Sequence, residues 1–442
     1  MTKKHPLTWL KNSGHRIFKS SSSLAGKILL PICRKNDKAM SIVDRLHKTM
    51  DSIMRPQIDS SALKPNNTFT GERGVNVAGY INAESGVGEA ARANIRALEK
   101  VGIPFSLNNI SSPSRQGDTT HTNIVKKNPY VFKLIHANPD NFNALLGDRG
   151  VQYFKNKYNI GFWYWELSKL PKEWFDCFKY LDEIWVATSF CHDSVSMASP
   201  VPVVKIPPSV VVDKIKDVDR SHYGLKKDSF IFFFMFDFLS YLERKNPLAL
   251  INAFKSAFSP DEDAVLLLKC SNSENNREGR DRILEAAKGL NVKFIDQYFD
   301  KDEIHALVSL CDCYVSLHRS EGFGLPLAEA MYLKKPVIAT GYSGNTEFMN
   351  GKNSFLVDYK LIEIDKDYGP YKRGNVWADP DVGQAAELMR LVYEKRDLAK
   401  NIGEIASRDI KVNFNPEVTG KKILERLECI AQNKQLFGGR FL

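Results

Sequence analysis

From residue 75 onward, short apolar runs alternate with segments whose apolar residues recur every three or four positions. Val75-Asn-Val-Ala-Gly-Tyr-Ile81 predicts a strand that enters a Gly-rich loop, and Ala90–Val101 predicts the helix behind it. Further strands are predicted at 103–107, 130–136, 158–164, 183–187 and 202–206, with helical stretches between several of them. After Pro207-Pro208 the pattern restarts at Phe230-Ile-Phe-Phe-Phe-Met-Phe236. It continues as helix 246–258, strand 264–269, helix 277–288, strand 291–296, helix 301–310, strand 312–317, helix 325–333 and strand 336–339. Two successive β/α alternations imply an α/β chain of two parallel-sheet domains with helices on both faces, 72–212 and 213–442. A last helical stretch, about 416–434, is free to pack on either.

Residues 1–71 read as an arm and linker. Apolar Leu7, Trp9, Leu10, Ile17 and Phe18 interleave with Lys and Arg, and residues 40–54 carry the spacing of an amphipathic helix. Residues 1–64 hold 13 of the 62 Lys and Arg but only four of the 52 Asp and Glu, so +9 of the net +10 sits there. The body is then near neutral, which speaks against nucleic acid as a partner. Positive charge beside Trp, Phe and Leu suits an interfacial anchor. Residues 1–54 are therefore expected to dock on an anionic membrane surface or on a partner protein, with a solvated tail as the plain alternative. No uncharged apolar run is long enough to span a bilayer, and no continuous signal-peptide core is present, so a cytoplasmic chain, peripheral on the inner face of the membrane, is expected. The seven scattered cysteines read as reduced thiols.

Open parallel sheets bind ligands beyond the carboxyl ends of their strands, so polar residues and glycines just after strands are the candidates. Gly86 and Gly88, in Ser85-Gly-Val-Gly-Glu89, bring backbone N–H groups to a helix N-terminus that suits an anion, or simply make a tight turn. The next strand ends in Asn108-Asn109 rather than an acid, which weakens a nicotinamide-dinucleotide reading. His136 ends a strand and is placed to donate to a substrate hydroxyl, or to cap the following turn. Arg244 and Lys245, after the apolar strand, suit a diphosphate, although such a pair also occurs as solvated surface. The strongest candidate is Ser320-Glu-Gly-Phe-Gly-Leu-Pro-Leu-Ala-Glu-Ala330, where Gly322 and Gly324 admit close approach and Glu321 and Glu329 present carboxylates at two depths. No Asp-x-Asp offers a convincing metal site, since Asp261-Glu-Asp263 lies in a polar loop.

The spacing Glu321-x7-Glu329, with Gly322-Phe-Gly324 and Pro336-Val-Ile-Ala339, resembles the nucleotide-binding signature of family 4 retaining glycosyltransferases of GT-B fold. Ser85–Glu89, Ile135-His136 and Gly161-Phe-Trp-Tyr-Trp-Glu-Leu167 are similar to a bacterial branch acting in surface polysaccharide assembly. The resemblance covers roughly residues 74–430 and implies two Rossmann-like domains facing a cleft. It implies that Glu329 binds the donor ribose and that Glu321 contacts the donor sugar, near the Phe323 and Gly324 amides. Arg244 and Lys245 would neutralise the leaving diphosphate with help from Gly86 and Gly88, and His136 would lie near the transferred sugar. One departure stands out: the family's arginine several residues ahead of the lysine is missing from Phe236-Asp-Phe-Leu-Ser240, leaving Ser240 as a helper.

The expected reaction is retaining, metal-independent transfer from a nucleotide sugar to a glycan or lipid-linked acceptor. Cations and helix N-termini take the place of a divalent ion at the departing phosphate, and no cofactor is called for. Two enzyme alternatives are a nucleotide-sugar epimerase and a phosphorylase on the same scaffold, the latter needing a pyridoxal-binding lysine. A catalytically silent, membrane-docked scaffold subunit is the alternative from another class.

Overall fold

A computed structural model describes residues 68–110, 117–438 and 441. The basic arm, including the helix expected at 40–54, lies outside the described residues.

The first sheet holds six parallel strands: β1 (Glu72–Gly79), β2 (Phe105–Asn109), β3 (Tyr130–His136), β4 (Tyr158–Trp163), β5 (Glu183–Val186) and β6 (Val203–Lys205), in the order β2-β1-β3-β4-β5-β6. Its inner strands are buried on both faces, which is why apolar residues occupy both sides of them rather than alternating, broken by buried Asn76, Lys133 and Asn159. β2 starts two residues later than the sequence suggests. Pro104 has no N–H to give the ladder, and only its carbonyl takes part, accepting from Val75 at 2.9 Å.

The second sheet comprises β7 (Phe230–Asp237), β8 (Ala264–Ser271), β9 (Val292–Asp296), β10 (Cys313–Ser316), β11 (Val337–Thr340) and β12 (Phe355–Val357), in the order β12-β11-β10-β7-β8-β9, again parallel. β7 is central, and its phenylalanines fill both faces. Phe232 packs on Phe258 with ring centroids 5.4 Å apart, and Phe233 meets Tyr314 edge-on at 5.7 Å. Truncating such a ring to alanine costs about 3–5 kcal/mol.

An antiparallel hairpin, β13 (Tyr359–Glu363) and β14 (Val376–Pro380), stands apart from both sheets and was not evident from the sequence pattern. The final helix, Pro416–Asn433, crosses back onto the first sheet's helix Gly86–Lys100. A Cβ at Gly420 would lie 2.4 Å from the Ala97 carbonyl, so only glycine lets the two helices come this close. Arg426 closes the junction by donating to buried Glu183, whose carboxylate also accepts from Trp185 at 2.6 Å and Tyr158 at 3.2 Å. That buried charge is therefore fully partnered.

Each sheet has a point where the strand order reverses. It falls between β1 and β3 in the first sheet, where Gly79 lies in register with His136, and between β7 and β10 in the second. Crevices of this kind are where such sheets bind ligands.

Candidate active site

The second crevice is built on the exit from β7. Asp237 accepts from the Leu239 N–H at 2.8 Å and from the Asn272 amide at 2.9 and 3.0 Å, which fixes the end of the strand. The chain then passes through Tyr241 at φ +64°, a region that bulky L-residues avoid, and enters the one-turn helix Leu242–Lys245. Asn246, left-handed at φ +55°, ends that turn ahead of Pro247. Strained backbone of this kind persists where surrounding packing holds it, and it concentrates at functional sites. Its effect is to turn Arg244 and Lys245 toward the loop after β10.

That loop delivers Glu321. Its N–H donates to Ser343 Oγ at 2.8 Å, and its carbonyl accepts from Gly344 at 2.9 Å. Lys245 Nζ lies 2.5 Å from Glu321 Oε1, and Arg244 Nη1 lies 3.3 Å from Oε2. Burial pushes the Glu321 carboxyl up, but Lys245, then Arg244, outweigh it and bring it down to about 2. Arg244 also donates to the Ser320 carbonyl at 2.9 Å. Buried His318 props the loop from below, 3.0 Å from Ser316 Oγ and 3.1 Å from Asn345 Oδ1. Phe323 turns into the core against Phe348 and Phe414, leaving only its backbone at the site. Gly324 at φ +89° begins the helix Leu325–Tyr332, with Pro326 in its first turn and Glu329 one turn further on.

The first sheet supplies the opposite wall. Gly322 faces Tyr164, whose Cβ lies 3.3 Å from where a side chain on Gly322 would begin. The Gly322 carbonyl accepts from Thr188 Oγ1 at 3.2 Å and Cys191 Sγ at 3.3 Å. A Cβ on Gly322 would press on Tyr164, which would have to give by a few tenths of an ångström. Nearby, Ser189 and Lys205 both bond Glu347, at 2.8 and 2.6 Å.

Two residues that the sequence reading passed over stand in the same cleft. Glu166 sits among Arg244, Glu321 and Lys245; burial holds its carboxyl above the usual range, against the pull of Arg244. Tyr371, from the hairpin loop, hydrogen-bonds Glu166, stacks on Trp165 at 5.6 Å and 26°, meets Tyr241 edge-on at 5.3 Å and lies 5.7 Å from the Arg244 guanidinium. The motif around Glu166 was visible, but nothing in it marked which cations it would face.

The remaining candidates lie as follows. His136 is fully buried; its Nε2 lies 3.2 Å from the Asn94 amide, its ring stacks on Phe162 at 4.8 Å, and burial lowers its pKa to about 3. It is a neutral imidazole, and no described contact joins it to Glu321. Gly86 opens onto free space, as an approach to a ligand requires. Gly88 has a local reason to be glycine, since a Cβ there would meet the Ala83 carbonyl at 2.2 Å. Ser240 closes the turn after β7 and is half-buried. Glu329 is buried, with Oε1 3.6 Å from His305 Nε2. In the polar loop 259–263, Glu262 is occupied by Arg390 at 2.5 Å. The six described cysteines are free thiols.

Residues 216–409 match the family glycosyl transferases group 1. The trehalose synthase of Thermococcus litoralis is 29% identical over 113 residues, a match spanning 25% of this chain and only 22% of that relative. The fold is shared with three solved structures in particular. Sucrose-phosphate synthase from Thermosynechococcus elongatus superimposes with a TM-score of 0.61 at 15% identity, over 82% of this chain and 100% of that one. A glycosyltransferase from Rickettsia africae gives 0.59 at 16%, over 83% and 100%. Anabaena HepE, solved with UDP and glucose, gives 0.57 at 14%, over 81% and 100%. The two-sheet body is a GT-B fold, and Arg244, Lys245, Glu321 and Glu329 all lie within residues 216–409, the stretch similar to glycosyl transferases group 1.

Proposed function

We propose that this chain is a retaining glycosyltransferase of the family 4 type that moves a sugar from a nucleotide-sugar donor to a glycan or lipid-linked acceptor in surface polysaccharide assembly. The observation that carries the reading is the buried Glu321 carboxylate clasped by Lys245 and Arg244 at the switch point of the second sheet. Two cations at a strand's carboxyl end suit a departing diphosphate. Glu321, ionised and held in place, suits the donor sugar, where positive charge develops at the anomeric carbon. Glu329, about one turn into the helix that follows, suits the ribose diol. Because Arg244 and Lys245 meet the phosphate charge, transfer proceeds without a metal ion. Ser240, Gly86 and the Phe323 and Gly324 amides complete the donor side, and His136, as a neutral hydrogen-bonding group, supports the wall behind the transferred sugar. The acceptor approaches from the first sheet, and a membrane-bound acceptor matches a basic arm at residues 1–54 that holds the enzyme on the inner face of the membrane.

The test is to incubate the full chain with a panel of nucleotide sugars, UDP-glucose among them, and score nucleotide release. The anomeric configuration of the product is then read by proton NMR. Release from at least one donor, with the configuration kept, is expected. Inverted product would overturn the retaining assignment, and silence across the panel would favour the scaffold reading.

A further inference from the structure

Glu329 reaches its place with a partner that nothing in its own motif announces. His305 lies on the neighbouring helix Lys301–Leu310 and is 1% exposed. Its Nδ1 is 3.0 Å from the Lys214 carbonyl oxygen, and its Nε2 is 3.6 Å from Glu329 Oε1. A carbonyl only accepts, so Nδ1 carries a proton. Nε2 makes no hydrogen bond, and a bare lone pair there would face a carboxylate oxygen in a buried site, so the geometry favours a second proton on Nε2 as an ion pair with Glu329.

We propose that His305 is a positioning residue for donor binding: as an imidazolium between the Lys214 carbonyl and the Glu329 carboxylate, it keeps the Glu329 side chain aimed at the ribose, so that donor affinity is gated by pH. This rests on the assignment of Glu329 to the ribose. The charged groups around the ring are few. Glu329 faces it from the helix Leu325–Tyr332. Lys301, one turn earlier on its own helix, opposes protonation but is itself neutralised by Glu89 at 2.8 Å. The segment before the second sheet offers only the Lys214 backbone. Glu303, on the same helix, turns away to Lys216 at 3.0 Å and His222 at 3.5 Å. Burial disfavours the charged ring, yet Glu329 outweighs it and sets its pKa above the ordinary value. The pair therefore comes apart as pH rises through that raised pKa.

The experiment uses the full chain and whichever of UDP, GDP, ADP or dTDP binds tightest, with inorganic pyrophosphate as the ribose-free control. Affinities of the wild type and of His305→Gln, which keeps a donor toward Lys214 but does not titrate, are measured calorimetrically from pH 6 to 9. The wild type should bind the nucleotide about tenfold better than the variant at pH 6, an advantage lost by pH 9. Pyrophosphate should show no such change. NMR titration of the histidines, which needs no variant at position 305, should place His305 above the ordinary range and lower it in Glu329→Gln. A wild-type to variant ratio that stays flat with pH, or an equal change with pyrophosphate, overturns the proposal. If Glu329→Gln leaves nucleotide affinity unchanged, the ribose assignment fails and the proposal with it. If Glu329→Gln weakens binding while the ratio stays flat, the His305 role alone is lost.

Discussion

Lys245 and Glu321, 76 residues apart in the chain, meet at 2.5 Å with Arg244 closing the other side of the carboxylate at 3.3 Å. The carboxylate holds both cations at the mouth of the second sheet before any phosphate arrives. On the proposed reading a donor diphosphate would meet cations already held at the cleft by Glu321, rather than cations left unpaired while the cleft is empty.

Removing the charge from Glu321 therefore separates binding from turnover. In Glu321→Gln the two cations lose their internal anion, and nucleoside diphosphate affinity should hold or tighten. Turnover should fall by roughly 10²–10³, the scale of losing one preorganised electrostatic contact. Glu329→Ala should do the opposite and mainly weaken nucleotide binding. Calorimetry and steady-state kinetics on the two variants check both halves.

Tyr371 ties the hairpin to the cleft through stacking on Trp165, contact with Tyr241 and a bond to Glu166. Tyr371→Phe keeps the ring and should cost about 1 kcal/mol, the net value of one hydrogen bond. Tyr371→Ala also removes the ring, and its cost should reach roughly 3–5 kcal/mol. Denaturant unfolding of both variants measures the difference, and equal losses would mean that the stacking contributes nothing.

How much of this was legible in the sequence follows from where each signal lies. β7 and the strands beside it are apolar runs buried on both faces, so their positions could be read within a residue or two. Arg244, Lys245 and Glu321 could be singled out because they follow strands, where such sheets bind ligands, and Glu329 because it lies in the helix after the same loop; the structure brings the first three together. The β13–β14 hairpin could not be found that way. Tyr359, Lys360, Leu361 and Glu363 are exposed, and the strand has no buried face to impose a pattern. Glu166 and Tyr371 are 205 positions apart and acquire meaning only when two domains meet, which no local spacing encodes. Gly88 was placed with Gly86 as a ligand cradle; its packing on Ala83 needs the folded turn to be seen.

Lys133 provides a pH test independent of catalysis. Its ammonium is buried in the first sheet, 3.4 Å from the Tyr153 ring centre and bonded to the Tyr153 carbonyl, and burial lowers its pKa to about 7, with Lys157 and Arg149 adding to the shift. A folded-state pKa below the unfolded value near 10.5 means that the unfolded chain binds more protons between the two. Stability should thus rise with pH from about 7 toward 10.5, and this contribution is lost as pH falls through 7. Lys133→Met, which removes the buried cation, should be more stable than the wild type at pH 6 by roughly 1–3 kcal/mol, with the gap closing toward pH 10. A gap independent of pH would show that this amine does not titrate differently in the folded chain.

Metal removal addresses the phosphate assignment. With Arg244 and Lys245 meeting the diphosphate, activity should survive excess EDTA. Complete loss, restored by magnesium or manganese, would assign the phosphate charge to a cation instead.

On the proposed function, sugar transfer rests on the Arg244–Lys245–Glu321 cluster. This dependence is tested most directly by the rate of nucleoside diphosphate release from the best donor of the panel, measured for the full chain and for Glu321→Gln at equal, saturating donor concentration. The wild type should release nucleoside diphosphate, and the variant should do so roughly 10²–10³ times more slowly with the donor still bound. Equal rates in the two proteins would contradict that dependence.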